Sequence, residues 1–148
     1  EWRIDLFRYI LILSAAPILM LFNTSVLPQD FKTPSGINIF SQAEIIDQFV
    51  GNTAYNKMYA EYYLLPETGT LRGKLRGKSQ AFGVYEGSWY INGALFCIKY
   101  DKRIMSSRSD CYTVATQGEN TRIYRMDGYE LYPDGGRLRV DIGNPRNL

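Results

Sequence analysis

The chain contains no histidine. This absence excludes Ser-His-Asp triads, Cys-His dyads, His-ligated zinc sites and imidazole-based pH switches. Any acid–base chemistry would have to use carboxylates or the side chains of Tyr, Lys, Arg, Ser or Cys. We therefore predict that the protein is not an enzyme and that it needs no metal and no cofactor.

Net charge is also small, because 17 Lys and Arg residues face 15 Asp and Glu residues, which leaves +2. With no groove-reading motif in the chain, this balance argues against a nucleic-acid partner. Asp127, Asp134 and Asp141 are too far apart in sequence to form a calcium-binding loop. Ser106 and Ser107 have no base beside them and do not form a nucleophile elbow.

Only two cysteines are present, Cys97 and Cys111, and their spacing is not that of a Cys-x-x-Cys redox motif. An even number in an exported chain favours a disulfide, with two free buried thiols as the alternative. Closing a loop of about 15 residues would stabilise the fold by about 3 kcal/mol. The bond would join two consecutive strands across the loop at 101–109.

The longest apolar segment, residues 10–22, is shorter than the ~20 residues that a membrane span requires. It follows a basic segment with Arg3 and Arg8, which is the plan of a secretory signal. We predict that residues 1–27 are a signal peptide. Because no good small-x-small cleavage site follows Phe22, an uncleaved anchor that tethers the chain to a membrane through residues 9–27 is the alternative. Either reading places the protein in the periplasm or outside the cell.

Strands and turns are favoured by twelve tyrosines and thirteen glycines in a chain that is 45% hydrophobic. Residues 28–40, with two prolines and no periodicity, are predicted to be a linker, and residues 41–148 a single β-rich domain. One helix is predicted at 42–50. Ser41 and Glu44 form a capping box before it, and Gly51 supplies the left-handed residue after it.

Eight short strands follow the helix in the prediction, at 58–65, 70–78, 81–91, 94–100, 111–116, 121–126, 129–132 and 137–142. Asn92-Gly93 predicts a type I′ hairpin turn. Such spacing is typical of an antiparallel meander. The predicted fold is mainly β, an up-and-down barrel or strongly curled sheet of seven or eight strands with the short helix packed on it.

Residues 71–78 repeat the tetrad Leu-Arg-Gly-Lys, so four cations fall at alternate positions of one strand and share a face. They form either an anion-binding stripe or the solvent-exposed side of an edge strand, where the charges prevent edge-to-edge association with another sheet. Glycines at 73 and 77 fit the edge-strand reading, because glycine weakens and curls a strand. If there is a binding surface, we predict that it consists of Arg72, Lys74, Arg76, Lys78, Tyr62 and Tyr85.

Two carboxylates, Glu61 and Glu86, lie within predicted strands among aromatic residues. They would be candidates for acid–base catalysis only if they met in a cleft. Outward-facing glutamates are commoner in strands, so we assign them no catalytic role.

Several short motifs occur in a recognisable order: AEII at 43–46, GNT at 51–53, EYYL at 61–64, GTLRGK at 69–74, GSWYING at 87–93, FCIKY at 96–100, CYTV at 111–114 and GNP at 143–145. In this order the chain resembles a family of small exported alphaproteobacterial proteins of unknown function. The resemblance implies a periplasmic, lipocalin-like β-fold with no assigned activity. The second Leu-Arg-Gly-Lys tetrad is not part of the shared pattern.

The sequence thus predicts a non-enzymatic binding domain of the cell envelope whose partner is an envelope protein or an anionic envelope component. Two alternatives remain. An inhibitor of a periplasmic hydrolase would present a protruding loop at 101–109. A carrier of a small ligand would enclose an apolar cavity of a few hundred Å³.

Overall fold

The computed structural model describes residues 34–101, 110–131 and 137–148. The predicted signal or anchor at 1–27, the first part of the predicted linker and nearly all of the 101–109 loop lie outside these residues. Within the described ranges, no helix is long and apolar enough to cross a membrane.

The described residues form one helix and nine strands. Helix α1 is Gln42–Phe49, and the strands are β1 (Asn38–Ile39), β2 (Thr53–Tyr55), β3 (Tyr59–Tyr63), β4 (Arg72–Ser79), β5 (Gly83–Asn92), β6 (Leu95–Tyr100), β7 (Asp110–Gln117), β8 (Asn120–Arg125) and β9 (Arg139–Asp141). All strand pairs are antiparallel, in the order β1-β7-β6-β5-β4-β3-β2-β9, and β8 pairs with β7. The sheet curls into a half-barrel. The mainly β, antiparallel fold with one helix is confirmed.

The last described segment touches both ends of this sheet. Arg139–Asp141 pairs with β2, and Leu138, the residue before it, forms an isolated bridge with Thr121 of β8. The side chain of Leu138 is buried in the core. A single short segment therefore connects the first and last parts of the curled sheet.

Helix α1 fills the concave side of the sheet. Ser41 and Glu44 form the predicted capping box, with the Ser41 amide donating to a Glu44 carboxylate oxygen at 2.6 Å. Ile45 and Phe49, four residues apart and so on one face, are fully buried. The Phe49 ring stacks on Phe96 of β6 at 4.8 Å between ring centres. The helix ends at Phe49, one residue before its predicted end.

Large side chains occupy the concave face together with α1. The largest that are fully buried are Trp89, Phe49, Phe96, Ile45, Leu75 and Val114. Phe96 contacts the rings of Phe49, Tyr63 and Trp89, so one aromatic cluster joins the helix to β3, β5 and β6. Buried side chains of the sheet therefore hold the helix against it.

The predicted linker is wrong for its last residues. Asn38–Ile39 is strand β1, which pairs with Thr116 and Ala115 of β7. This edge of β7 is free there because β6 pairs with it only as far as Thr113. A two-residue strand carries too little periodicity to be read from sequence, and its pairing partners lie 76 and 78 residues away in the chain (115 − 39 and 116 − 38).

The β5–β6 hairpin lies where it was predicted, but its turn is different. Asn92 pairs with Leu95, so the two loop residues are Gly93 and Ala94. Gly93 has a φ of 59°, whereas Ala94 is not among the described residues with positive φ. A type I′ turn needs positive φ at both central residues, and glycine at the first position alone is typical of type II′. The prediction of a type I′ turn at Asn92-Gly93 is therefore wrong.

Strand β4 lies inside the sheet, paired with β3 on one side and β5 on the other. The edge-strand reading of the repeated tetrad is therefore wrong. Burial alternates along β4, with Gly73, Leu75 and Gly77 on the inner face and the four cations exposed on the outer face.

The two tetrad glycines leave room for two aromatic rings. A Cβ atom on Gly77 would lie 2.3 Å from the ring of Tyr85, and one on Gly73 would lie 2.8 Å from the indole of Trp89. Both rings belong to β5 and cross over β4 to reach the β3 side. The Trp89 indole nitrogen donates to the Leu64 carbonyl oxygen at 3.0 Å. Packing in the core therefore explains the two glycines of the repeat, because each glycine lies beneath one aromatic ring.

Cys97 and Cys111 form the predicted disulfide. They are directly opposite each other in the β6–β7 pair, with Cα atoms 4.0 Å apart. The bond closes the two strands that flank the 101–109 loop. A disulfide indicates a location outside the reducing cytoplasm.

Replacing Gly77 tests the ring-over-glycine contact. We expect Gly77→Ala to lower the free energy of unfolding by about 1–3 kcal/mol, because the new methyl group overlaps the Tyr85 ring. Without that overlap, Gly→Ala would leave stability unchanged or raise it. Urea unfolding measures the effect, and Lys78→Ala, the exposed neighbour, should stay within about 0.5 kcal/mol of wild type. A wild-type midpoint for Gly77→Ala would contradict the contact.

Removing the disulfide should cost about 3 kcal/mol, since the bond limits the unfolded chain across 14 residues of sequence separation. We expect a reducing agent to shift the urea midpoint of wild type to that of the Cys97→Ala/Cys111→Ala double variant. The double variant itself should not respond to the reductant. Wild type that unfolds identically with and without reductant would refute the stabilising role of the bond.

Candidate functional site

Two groups of side chains are candidates for a functional site, one on each face of the sheet. The basic ladder is the set Arg72, Lys74, Arg76 and Lys78 on the outer face of β4. The Glu61 cluster is the set Glu61, Tyr63, Tyr85 and Tyr100 on the inner face of β3, β5 and β6.

The basic ladder is positioned by the two-residue period of β4. Residues two apart in a strand lie about 7 Å from each other, so the four charges extend over about 20 Å. Across β5, Lys74 is opposite Ser88, and Ser88 is opposite Lys99 of β6. Lys99 is exposed, which adds a fifth cation to this face.

Three carboxylates lie near the ladder: Glu86 on β5, and Glu67 and Asp101, which line depressions shared with its cations. Glu86 is opposite Arg76 in the β4–β5 pair, and the closest N–O distance between the two side chains is 4.0 Å. Both side chains are more than half exposed. An exposed pair at this distance contributes little to stability. The outer face around the ladder therefore keeps a clear excess of positive charge.

An open depression of about 370 Å³ lies beside the Arg72 end of the ladder. Arg72, Lys74, Ser88, Tyr90 and Glu67 contribute to its walls. Cationic and hydroxyl groups in one concave surface suit an anionic ligand.

The two tyrosines predicted to accompany the cations are separated by the sheet. Tyr62 pairs with Arg76 and is half-buried on the outer face, the same face as the ladder. Tyr85 is 7% exposed on the inner face, so it does not belong to the same surface as the ladder. Its grouping with the cations was wrong. The alternation along β5, which places residue 85 on the same side as Trp89, carried the signal that separates them.

The Glu61 cluster holds a buried carboxylate among three phenols. Tyr63 donates to one carboxylate oxygen at 2.6 Å, while Tyr85 and Tyr100 each donate to the other at 2.8 Å. Glu61 is opposite Gly77, and Gly77 is opposite Tyr85. The missing side chain at residue 77 is what allows the Tyr85 hydroxyl to reach the carboxylate.

Burial raises the pKa of the Glu61 carboxyl above its usual value, and the three tyrosine hydrogen bonds only partly oppose this effect. Burial, followed by the nearby Glu61 charge, also raises the pKa of Tyr63 and of Tyr100. The Tyr63 and Tyr100 phenols therefore remain protonated donors well into the alkaline range. In either protonation state, Glu61 lies within hydrogen-bonding distance of tyrosines on β3, β5 and β6.

The geometry does not bring the two candidate carboxylates together. Glu61 is 2% exposed on the inner face, whereas Glu86 is exposed on the outer face. The paired carboxylates of a glycosidase flank one substrate bond, which is impossible for groups on opposite faces of a sheet. Among the described residues no group of three acidic or cysteine side chains is placed to hold a metal ion.

No family model, no curated protein and no solved structure matches this chain. The alphaproteobacterial family suggested by the motif order remains a prediction.

The raised pKa of Glu61 predicts a pH dependence of stability. Between the unfolded value of 4.5 and the higher folded pKa, the folded state holds a proton that the unfolded chain has lost. Glu61 therefore makes its full contribution to the free energy of unfolding below pH 4.5. This contribution is lost as pH rises through the pKa of Glu61 in the folded state. We expect urea unfolding across pH to show this decline in wild type and a flatter profile in Glu61→Gln.

Glu44 supplies a control of opposite sign. Hydrogen bonds from Ser41 lower the pKa of Glu44, so its contribution is present above 4.5 and is lost as pH falls through the folded pKa. Glu44→Gln should flatten the acidic side of the profile and leave the alkaline side unchanged. Parallel profiles for wild type and Glu61→Gln above pH 4.5 would contradict the assignment to Glu61.

Proposed function

We propose that this chain is a non-enzymatic binding domain of the cell envelope that recognises an anionic envelope component through the basic ladder. The observation that carries the proposal is the position of the ladder in the middle of the sheet. Strand β4 is paired along both edges. Charges that protect a free edge from association are not needed there, so edge protection does not account for the four exposed cations.

Electrostatics support a polyanionic partner. Neighbouring ladder charges are about 7 Å apart, which is less than the Debye length of about 8 Å at physiological ionic strength. The cations therefore repel one another in the free protein. An array of negative charges removes this repulsion and gains attraction to several cations at once.

The periplasm is the compartment we propose, with residues 1–27 acting as a signal peptide or a tether. The disulfide supports a non-reducing compartment. Anionic surfaces are available to an exported domain there, which matches the chemistry of the ladder.

A small-ligand carrier has less support. Ligand cavities are concave, and the concave side of this sheet is occupied by α1 and by the Phe49, Phe96 and Trp89 side chains. The loop that an inhibitor would use lies outside the described residues.

Neutralising the ladder tests the proposal. We expect the Arg72→Gln/Lys74→Gln/Arg76→Gln/Lys78→Gln variant to lose most of its affinity for a soluble polyanion such as dextran sulfate. The dependence of affinity on salt concentration should also flatten, because fewer ion contacts form. Isothermal titration at several salt concentrations measures both quantities.

A matched pair of double variants separates local charge from net charge. Arg72→Gln/Lys74→Gln and Arg125→Gln/Arg137→Gln both remove two exposed cations. We expect only the first to weaken binding by more than a few-fold. Equal loss in the two double variants would show that net charge, and not the ladder, determines binding.

A further inference from the structure

Two turns adjoin at one end of the sheet, next to the Lys78 end of the ladder. Residues 56–58 connect β2 to β3, and residues 80–82 connect β4 to β5. The Gln80 amide donates to the Met58 carbonyl oxygen at 3.2 Å, and the Gln80 side chain donates to the Lys57 carbonyl oxygen at 3.4 Å. These contacts make the two turns, together with Lys78 and Val84 at the adjoining ends of β4 and β5, one continuous surface, which we call the turn end.

The turn end exposes large apolar side chains. Met58 is 55% exposed, Phe82 45% and Val84 71%. Turns normally carry polar residues and glycine or proline, so apolar side chains here are unusual. The loop is held in shape, because the Phe82 amide donates to the Ser79 hydroxyl oxygen at 3.0 Å and Ser79 pairs with Gly83.

Two lysines lie beside these apolar groups. Lys78 is directly opposite Val84 in the β4–β5 pair, and Lys57 precedes Met58 in the neighbouring turn. Residues 56–60 and 78–84 contain no Asp or Glu. Three exposed apolar side chains with two lysines beside them match the chemistry of proteins that lie at an anionic lipid surface, and Glu86 is the nearest acidic residue along β5.

We propose that the turn end docks on an anionic lipid surface. Phe82, Met58 and Val84 enter the interface between headgroups and acyl chains, and Lys57 and Lys78 contact the headgroups. This inference rests on the proposed function, because it identifies the anionic envelope component as a membrane. A soluble polyanion gives no reason for exposed apolar side chains at the end of the ladder.

If the turn end docks on the membrane, the four cations of the ladder should contribute unequally to vesicle binding. Arg72 lies about 20 Å along β4 from Lys78, well beyond the Debye length of about 8 Å. Lys78→Gln should therefore weaken vesicle binding more than Arg72→Gln does. A soluble polyanion that lies along β4 would instead respond equally to the two changes.

A site-specific fluorescence measurement tests contact with the membrane. In the full chain with Trp2→Phe, Trp89 is the remaining indole and is 1% exposed. Phe82→Trp in this background adds a reporter at the turn end. Leu65→Trp is the matched control, because Leu65 is 72% exposed and follows β3 at its other end.

The probe is a vesicle of phosphatidylcholine with one part in three of phosphatidylglycerol, compared with phosphatidylcholine alone. In the Phe82→Trp variant we expect the emission of the introduced indole to shift to shorter wavelength and to be quenched by lipids brominated in their acyl chains, only with the anionic vesicles. The indole introduced by Leu65→Trp should not respond. Residues 10–22 are common to both variants, so any vesicle binding through them does not distinguish the two reporters.

Partitioning of serine variants provides an independent measurement. Phe82→Ser should reduce binding to the anionic vesicles by about tenfold, given the apolar area that phenylalanine buries. Val84→Ser should reduce binding to the anionic vesicles by a smaller factor. Because Val84 is exposed, this variant should fold, and it therefore provides the test if Phe82→Ser unfolds. Leu65→Ser should bind as wild type.

The outcomes separate the two proposals. If dextran sulfate binds through the ladder but the Phe82→Trp reporter does not respond to anionic vesicles, the membrane inference is wrong and the ladder function stands. If vesicles bind but Phe82→Ser, Val84→Ser and Leu65→Ser behave alike, binding does not involve the turn end and the membrane inference is wrong. If neither probe binds, both proposals fail.

Discussion

The crossing of two aromatic rings over two glycines is the contact on which the rest of this structure depends. Trp89 and Tyr85 of β5 pass over Gly73 and Gly77 of β4 and form hydrogen bonds on the β3 side. Each ring therefore joins three neighbouring strands across the concave face. Glycine is required beneath each ring, because even a methyl group would overlap it. This close approach gives the aromatic core its place against the curled sheet.

The same spacing organises both faces of β4. A four-residue repeat in a strand of period two returns glycine to the inner face and cations to the outer face each time. On the inner face, tyrosine hydroxyls satisfy the one buried carboxylate among the described residues, Glu61, which would otherwise be costly to bury. On the outer face, the cations form a row that the core does not use. A binding surface can therefore exist there without disturbing the packing that holds the sheet together.

Local features were predictable, and features that depend on distant pairing were not. The capping box of Ser41 and Glu44 needs only residues three apart, and the hairpin that holds Cys97 needs only its neighbours in the chain. Strands β1 and β2, which were not predicted, have two and three residues, too few to show a period. They are strands because of partners elsewhere in the sheet. Tyr85 was placed with the cations because it is close to them in sequence, although the alternation of β5 turns it inward.

The sequence by itself determined the mainly β class, the capped helix, the pairing of the two cysteines and the presence of two unlike faces on β4. Tertiary structure alone decided that β4 lies in the centre of the sheet, that the Tyr85 hydroxyl meets Glu61, and that the 56–58 and 80–82 turns adjoin. The physical reason is that a period of two distinguishes two faces of a strand but carries no information about its neighbours. Neighbours are set by long-range packing, which only the folded chain brings about.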